Sequence, residues 1–241
     1  MVLQNRIALA VLGLSLLVGG QLVSLRADDK KPADTKSAEK KTEEKKPDAK
    51  AKLREIKLFN GKNLEGWKSS EFGGDGEITI EDNALILDMG NDLTGVTWKD
   101  AKVLPKVNYE ISLEAQRVDG SDFFCGLTFP IKDDPCSLIL GGWGGTVCGL
   151  SSLNFRDASE NESTTFRDFK NRQWYKIRLR VLEKKITAWI DDKEILDVDL
   201  TDQKIGIRSE VEPCKPLGFC SYRTKAALRN IVLKEIEPPK E

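Results

Sequence analysis

The 241-residue chain contains no histidine. That absence excludes Ser-His-Asp and Cys-His nucleophiles, histidine zinc centres and any imidazole general base. Proton transfer in such a chain falls to carboxylates, helped by Lys, Tyr or a hard metal. A long hydrophobic run is also missing. The apolar stretch Ile7–Val18 is short and broken by glycine, whereas a membrane span wants about 20 apolar residues. It follows Arg6 and leads into small and polar residues up to Ala27, the pattern of a secretory signal, so residues 1–27 are expected to be removed. The alternative is an uncleaved N-terminal anchor. No Cys follows the run, which argues against a lipid anchor, and no stable membrane span is expected after cleavage.

Large apolar residues are absent from the next segment, "DDKKPADTKSAEKKTEEKKPDAKAK", residues 28–52. With nine Lys and seven Asp or Glu, it cannot bury enough apolar surface to offset the entropy of ordering, and it reads as a disordered spacer. Adhesion to an anionic wall or membrane is the alternative. In the rest of the chain, acidic residues modestly outnumber basic ones. The whole chain sums to −1, and setting aside Arg6, Arg26 and the spacer's surplus of two leaves −5 from Leu53 onward. A mildly acidic domain is a poor partner for nucleic acid.

What is present is alternation with a period of two. "EITIEDNALILDMG" reads as two strands about a Glu81-Asp82-Asn83 turn, and "VNYEISLEAQRVDG" alternates through Val107, Tyr109, Ile111, Leu113 and Ala115. In "WYKIRLRVLEKKITAWIDDKEILDVDL", Tyr175, Ile177, Leu179 and Val181 face one way and Lys176, Arg178 and Arg180 the other. "IGIRSEV" and "AALRNIVLKEI" are further expected strands. No segment keeps a helical period, so residues 53–237 predict an all-β domain, an antiparallel two-sheet sandwich of roughly a dozen strands, with 238–241 as a tail.

"LFNGKNLEGW", residues 58–67, resembles the N-terminal signature of the 3-keto-disaccharide hydrolase domain family. The likeness extends to the hairpin phrases Trp174–Val181 and Ile186–Asp191 and to the closing Arg229–Glu235, and so spans Leu58 to Ile236. The resemblance implies a concanavalin- and laminin-G-like jelly roll, a secreted or periplasmic location, and cleavage of glycosides oxidised at C3 of the sugar. A C3 ketone acidifies the C2 proton; a base removes it, the glycosidic oxygen leaves by elimination, and water adds. The middle of the chain departs from the family. Many members carry a strand of the type Asn-Ser-Gly-Ile-Phe-Phe-Arg followed by Glu-x-Gln-x-x-Asp, where this chain has "GSDFFCGLTFPIKDDPCSLILGGWGGTVCGL".

Site residues are therefore read from this chain itself. Asp122, at the head of an expected central strand, is a candidate catalytic carboxylate or a turn aspartate. Trp143, among four glycines in "GGWGG", is a candidate stacking platform for a sugar, or else a core tryptophan at a kink. The loop "LNFRDASENES" brings Asn154, Asp157, Glu160 and Asn161 together, with Asp157 and Glu160 as catalytic and Asn154 and Asn161 as substrate-binding candidates, or all four as ordinary loop polarity. Arg208 and Glu210 share one face of their expected strand, as a binding and a catalytic residue or as a structural ion pair. Asp88, Asn91 and Asp92 offer oxygens to a calcium ion or form a polar turn.

Five cysteines, an odd number, allow at most two internal disulfides. Cys214 and Cys220 bracket "KPLGF", and a pair among Cys125, Cys136 and Cys148 is open; buried free thiols are the alternative. The leading expectation is an exported protein hydrolysing 3-keto-glycosides, with carbohydrate as its partner. The alternatives are a lectin-like carbohydrate-binding module without catalysis and an adhesion module.

Overall fold

The computed structural model describes residues 53–239. The signal-like segment and the Lys-rich spacer lie outside the described residues. The chain divides into two units, Met1–Ala49 and Lys50–Glu241, and the second carries all that follows.

Its strands, in chain order, begin with β1 (Glu55–Lys57), β2 (Trp67–Ser69), β3 (Ile78–Glu81), β4 (Ala84–Leu87) and β5 (Leu93–Trp98). The middle holds β6 (Tyr109–Gly120), β7 (Cys125–Ile131), β8 (Asp134–Gly142), β9 (Val147–Ser151) and β10 (Thr165–Phe166). The last are β11 (Trp174–Val181), β12 (Lys185–Ile190), β13 (Lys193–Asp199), β14 (Gly218–Tyr222) and β15 (Thr224–Glu235). They form two antiparallel sheets, the sandwich expected from the alternation. One runs β13-β12-β11-β6-β15-β4-β3, with β1 on the same edge of β15 as β4; the other runs β10-β9-β8-β7-β14-β5-β2.

Alternation explains the layering. Tyr109, Ile111, Leu113 and Ala115 of β6 and Tyr175, Ile177, Leu179 and Val181 of β11 share one core with Cys125, Leu127, Phe129 and Ile131 of β7 and Cys136, Leu138 and Leu140 of β8. Each fully buried Leu, Ile or Phe in such a core contributes about 1.5–3 kcal/mol by leaving water. The tight turns fall where the polar residues predicted them. Asp82 and Asn83 have φ of 48° and 61°, and Asp191 and Asp192 have 51° and 63°, the left-handed pair of a two-residue hairpin.

The opening motif is architectural. Asn60 Oδ1 accepts from the backbone N–H groups of Lys62 and Asn63 at 2.8 and 3.0 Å, closing a turn through Gly61. Trp67 is 1% exposed and donates its indole N–H to the Leu58 carbonyl at 2.7 Å, with Trp98 edge-on at 5.1 Å.

One expected strand is absent. In "IGIRSEV", only Ile205 bridges, to Leu153, and Ser209–Cys214 is a 3-10 helix. Pro213 has no N–H to give to a ladder, and Arg208 ends the extended backbone as the cap of that helix. Among the described residues no helix is long and apolar enough to cross a membrane.

The outward faces of the two sheets differ. On the first, Arg178 and Arg180 both reach Glu110, at 3.3 and 2.6 Å, Arg178 lies 3.8 Å over Trp189, and Arg229 lies 4.0 Å over Trp174 while pairing with Glu114. Charge neutralises charge there. On the second, the residues turned from the core are small, among them Gly95, Gly126, Gly149, Gly218, Ser137, Ser151 and Thr128, and that face opens into a cleft.

Candidate functional site

The cleft has a volume of about 690 Å³. β8 and β9 supply its floor through Ser137, Ile139 and Ser151; Phe72, Phe123, Trp143 and Tyr222 supply its aromatic walls; Asp92, Asp122, Arg208 and Glu210 supply its charge. Five of the residues singled out in the sequence thus meet here: Asp92, Asp122, Trp143, Arg208 and Glu210.

Trp143 stands at the tip of the β8–β9 bend with φ of 48° and is 42% exposed, so it is a surface residue and not a core tryptophan. One glycine of the bend is required. Gly145 has φ of 113°, and a Cβ there would lie 2.6 Å from the Ser121 carbonyl oxygen. Two charged side chains grip this bend from behind. Asp122 Oδ2 accepts from the Gly144 N–H at 3.0 Å, while its Oδ1 accepts from the Phe123 N–H at 2.8 Å. Arg117, only 6% exposed, donates to the Gly145 carbonyl at 2.8 Å and lies over the rings of Phe124 and Phe169 at 5.5 and 5.9 Å. Burial lowers the pKa of Arg117 and the nearby Asp122 carboxylate pulls it back up; a guanidinium stays protonated throughout.

Arg208, which also lines the cleft, makes a forked ion pair: one nitrogen to Asp157 Oδ2 at 2.8 Å and the other to Glu210 Oε1 at 2.6 Å. Arg208 holds the Glu210 carboxyl below the usual carboxylate range, and Glu210 raises the Arg208 pKa in return. Asp157 also accepts from the N–H and hydroxyl of Ser159 at 2.9 and 2.6 Å, so it acts on the cleft through Arg208.

The rest of the polar loop organises itself. Asn161, 7% exposed, donates to the carbonyls of Leu150, Arg156 and Asp157 and accepts from Ser163, knitting the loop to β9. Asn154 bonds to Gln203 and to the Lys204 N–H. Glu160 is exposed, with its backbone carbonyl facing Arg156. None of these three lines the cleft. Of the three residues that offer oxygens to a calcium ion or form a polar turn, Asp88 pairs with Lys225 at 3.3 Å and Asp92 with Arg223 at 2.7 Å, and the Asn91 carbonyl accepts from Arg223 at 3.1 Å. Among the described residues no cluster of three or more acidic or sulfur side chains is placed to hold a metal.

The sequence reading missed the Phe123–Tyr222 pair, whose rings stack at 6.0 Å, and the hydroxyls of Ser137 and Ser151. Their signal was there: small polar residues at alternate positions of two otherwise apolar strands, "CSLIL" and "CGLS". All five cysteines are buried free thiols. Burial pushes Cys125 and Cys136 up to about 12 and Cys148 up to about 11. The hydrogen bond with Cys214, and then burial, raise the Cys220 thiol well above its ordinary value. Such thiols are inert as nucleophiles.

Among solved structures, the fold is similar to the apo Crh5 transglycosylase, with 10% identity over 78% of this chain and 86% of that one at a TM-score of 0.50. It is also similar to the carbohydrate-binding module CBM66 from Bacillus subtilis, at 11% identity, 70% and 96% coverage and a TM-score of 0.42. A Bacillus subtilis protein with a galectin-like fold covers 76% of this chain and 96% of its own at 11% identity and a TM-score of 0.47. No curated protein matches in sequence. The sequence itself matches the 3-keto-alpha-glucoside-1,2-lyase-like domain over residues 54–234, which takes in both sheets and every wall of the cleft, and the chain belongs to that family.

Proposed function

We propose that this is an exported carbohydrate-active enzyme that cleaves 3-keto-glycosides by elimination and hydration in the cleft of the second sheet. The observation that carries the proposal is the meeting of Asp122, Trp143, Arg208 and Glu210 around one cleft. Trp143 and the Phe123–Tyr222 pair would bracket the apolar faces of a sugar. Asp122, fixed by two backbone N–H bonds, is the general base for the C2 proton. The electron pair left on C2 moves onto the C3 oxygen, and the Arg208 guanidinium stabilises that enolate. Return of the electrons expels the glycosidic oxygen from C1, which takes a proton from water, and water then adds across the new double bond. Glu210 and Asp157 hold Arg208 in place.

A second reading is a binding module without turnover. It is favoured by the engagement of each carboxylate: Asp122 with backbone donors, Glu210 and Asp157 with Arg208. Bonds that stabilise the ionised form weaken a base. Assays with 3-keto-disaccharides separate the two. Enzymatic action predicts that Asp122→Asn lowers kcat by about a hundredfold or more, with Glu210→Gln giving a smaller loss. Saccharide binding with no turnover in the wild type would leave only the module, and unchanged turnover in both variants would remove the assignment of the base.

A further inference from the structure

The geometry points to Ser151 as a substrate-contacting residue, its hydroxyl kept free by the fold to meet a hydroxyl or keto oxygen of the sugar at the floor of the cleft. This deepens the carbohydrate reading above and rests on it. Ser151 ends β9 on the face turned from the core, is 2% exposed, and lines the cleft. Its Oγ is buried and has no hydrogen-bond partner among the described residues. Buried hydroxyls are ordinarily satisfied, because an unmet one costs the fold its desolvation.

The neighbouring strands show what satisfaction looks like. Ser137 lies directly opposite Ser151 on β8, and Thr128 opposite Ser137 on β7, a row of three hydroxyls across the sheet. Ser137 and Thr128 bond to each other at 2.8 Å, which leaves Ser151 as the unpaired end. That end lies toward the charged wall. Ser152 donates to the Gly206 carbonyl at 2.7 Å, tying β9 to the segment that leads into Arg208, and Arg208 lines the same cleft. A hydroxyl can donate to a ketone and accept from a sugar hydroxyl, so a ring oxygen substituent near Arg208 meets the chemistry of both residues.

Three variants of the full chain test this, with thermal unfolding and calorimetric titration of a 3-keto-disaccharide analogue whose glycosidic oxygen is replaced by CH2, so that it cannot be eliminated. Without ligand, Ser151→Ala should leave the melting temperature unchanged or raise it by up to about 3 °C, since it removes an unmet polar group. Ser137→Ala should lower it by several degrees, because it strips Thr128 of its partner. With ligand, Ser151→Ala should bind about five- to tenfold more weakly than wild type. Ser151→Cys, which keeps the bulk and offers only a weak donor, should repeat that loss. A drop in melting temperature for Ser151→Ala matching that of Ser137→Ala would show that the hydroxyl serves the fold and overturn the inference. Wild-type affinity in both Ser151 variants would overturn it too while leaving the carbohydrate reading standing. No binding by the wild type would remove both.

Discussion

Arg117 shows how a single side chain can serve a cleft it does not touch. Its guanidinium is buried, bonds one carbonyl of the Trp143 bend, and leaves its Nε without a partner among the described residues. Arg117→Met keeps the apolar contact with Phe124 and Phe169 but frees the Gly145 carbonyl, so it should destabilise the domain by about 1–3 kcal/mol in urea unfolding. Loosening the bend should also weaken saccharide binding more than it lowers kcat. Trp143 itself contributes only when a ligand covers it. Trp143→Ala should leave stability within about 0.5 kcal/mol and weaken saccharide binding by about 1–2 kcal/mol, close to five- to thirtyfold. The thiols give a check at the same scale. Because all five are buried, alkylation followed by mass spectrometry should be slow in the native protein and reach five adducts in denaturant.

Among the elements, the bend between β8 and β9 and the 3-10 helix Ser209–Cys214 carry the site, and neither is a regular strand. The bend depends on glycine in a backbone region that side chains avoid. Gly145→Ala meets both a φ of 113° and a carbonyl oxygen at 2.6 Å, so a loss of more than about 1 kcal/mol is expected, together with displacement of Trp143. Circular dichroism and tryptophan fluorescence would report the two effects separately. The 3-10 helix shows where alternation misleads. Arg208 and Glu210 were expected on one face of a strand; they do end up together, but as a cap and the first turn of a helix bound through an ion pair. Parity along a strand had nothing to do with it.

For the whole domain, the lack of histidine governs pH behaviour. No side chain titrates with an ordinary value between about 5 and 8, so the melting temperature should be nearly flat across that range. In acid the sign is set by carboxylates whose pKa is lowered in the fold: Glu210 by Arg208, Asp197 by Lys185 and Thr187, and Asp88 by the Met89 N–H and Lys225. Groups depressed on folding stabilise it above their unfolded values of about 4 and lose that contribution as pH falls through the folded values. Stability should therefore decline below about pH 4, by little for each pair, because all three are largely solvent-screened. If the protein is exported as proposed, mass spectrometry of the mature chain should place its first residue at Asp28. A start at Met1 would count against cleavage.

The sequence by itself determined the sandwich, its hairpin turns and its family. Those features are local or periodic: alternation in β6 and β11, paired Asp-Asn and Asp-Asp turns, an Asn-Gly entry turn held by its own side chain. It also named Trp143, Arg208 and Glu210, three of the residues that line the cleft, because a tryptophan between glycines and an arginine beside a glutamate are visible in one dimension. Tertiary structure alone decided which of the polar residues converge. Asn154, Glu160 and Asn161 are as polar as Asp157 and lie in the same loop, yet only Asp157 reaches Arg208, because that pairing depends on how a loop after β9 meets one before β14, 51 residues apart. The row Thr128–Ser137–Ser151 likewise exists only through strand register. Contacts across strands depend on pairing order, which periodicity leaves open, and there the fold turned an alternating sequence into a floor with one hydroxyl unpaired.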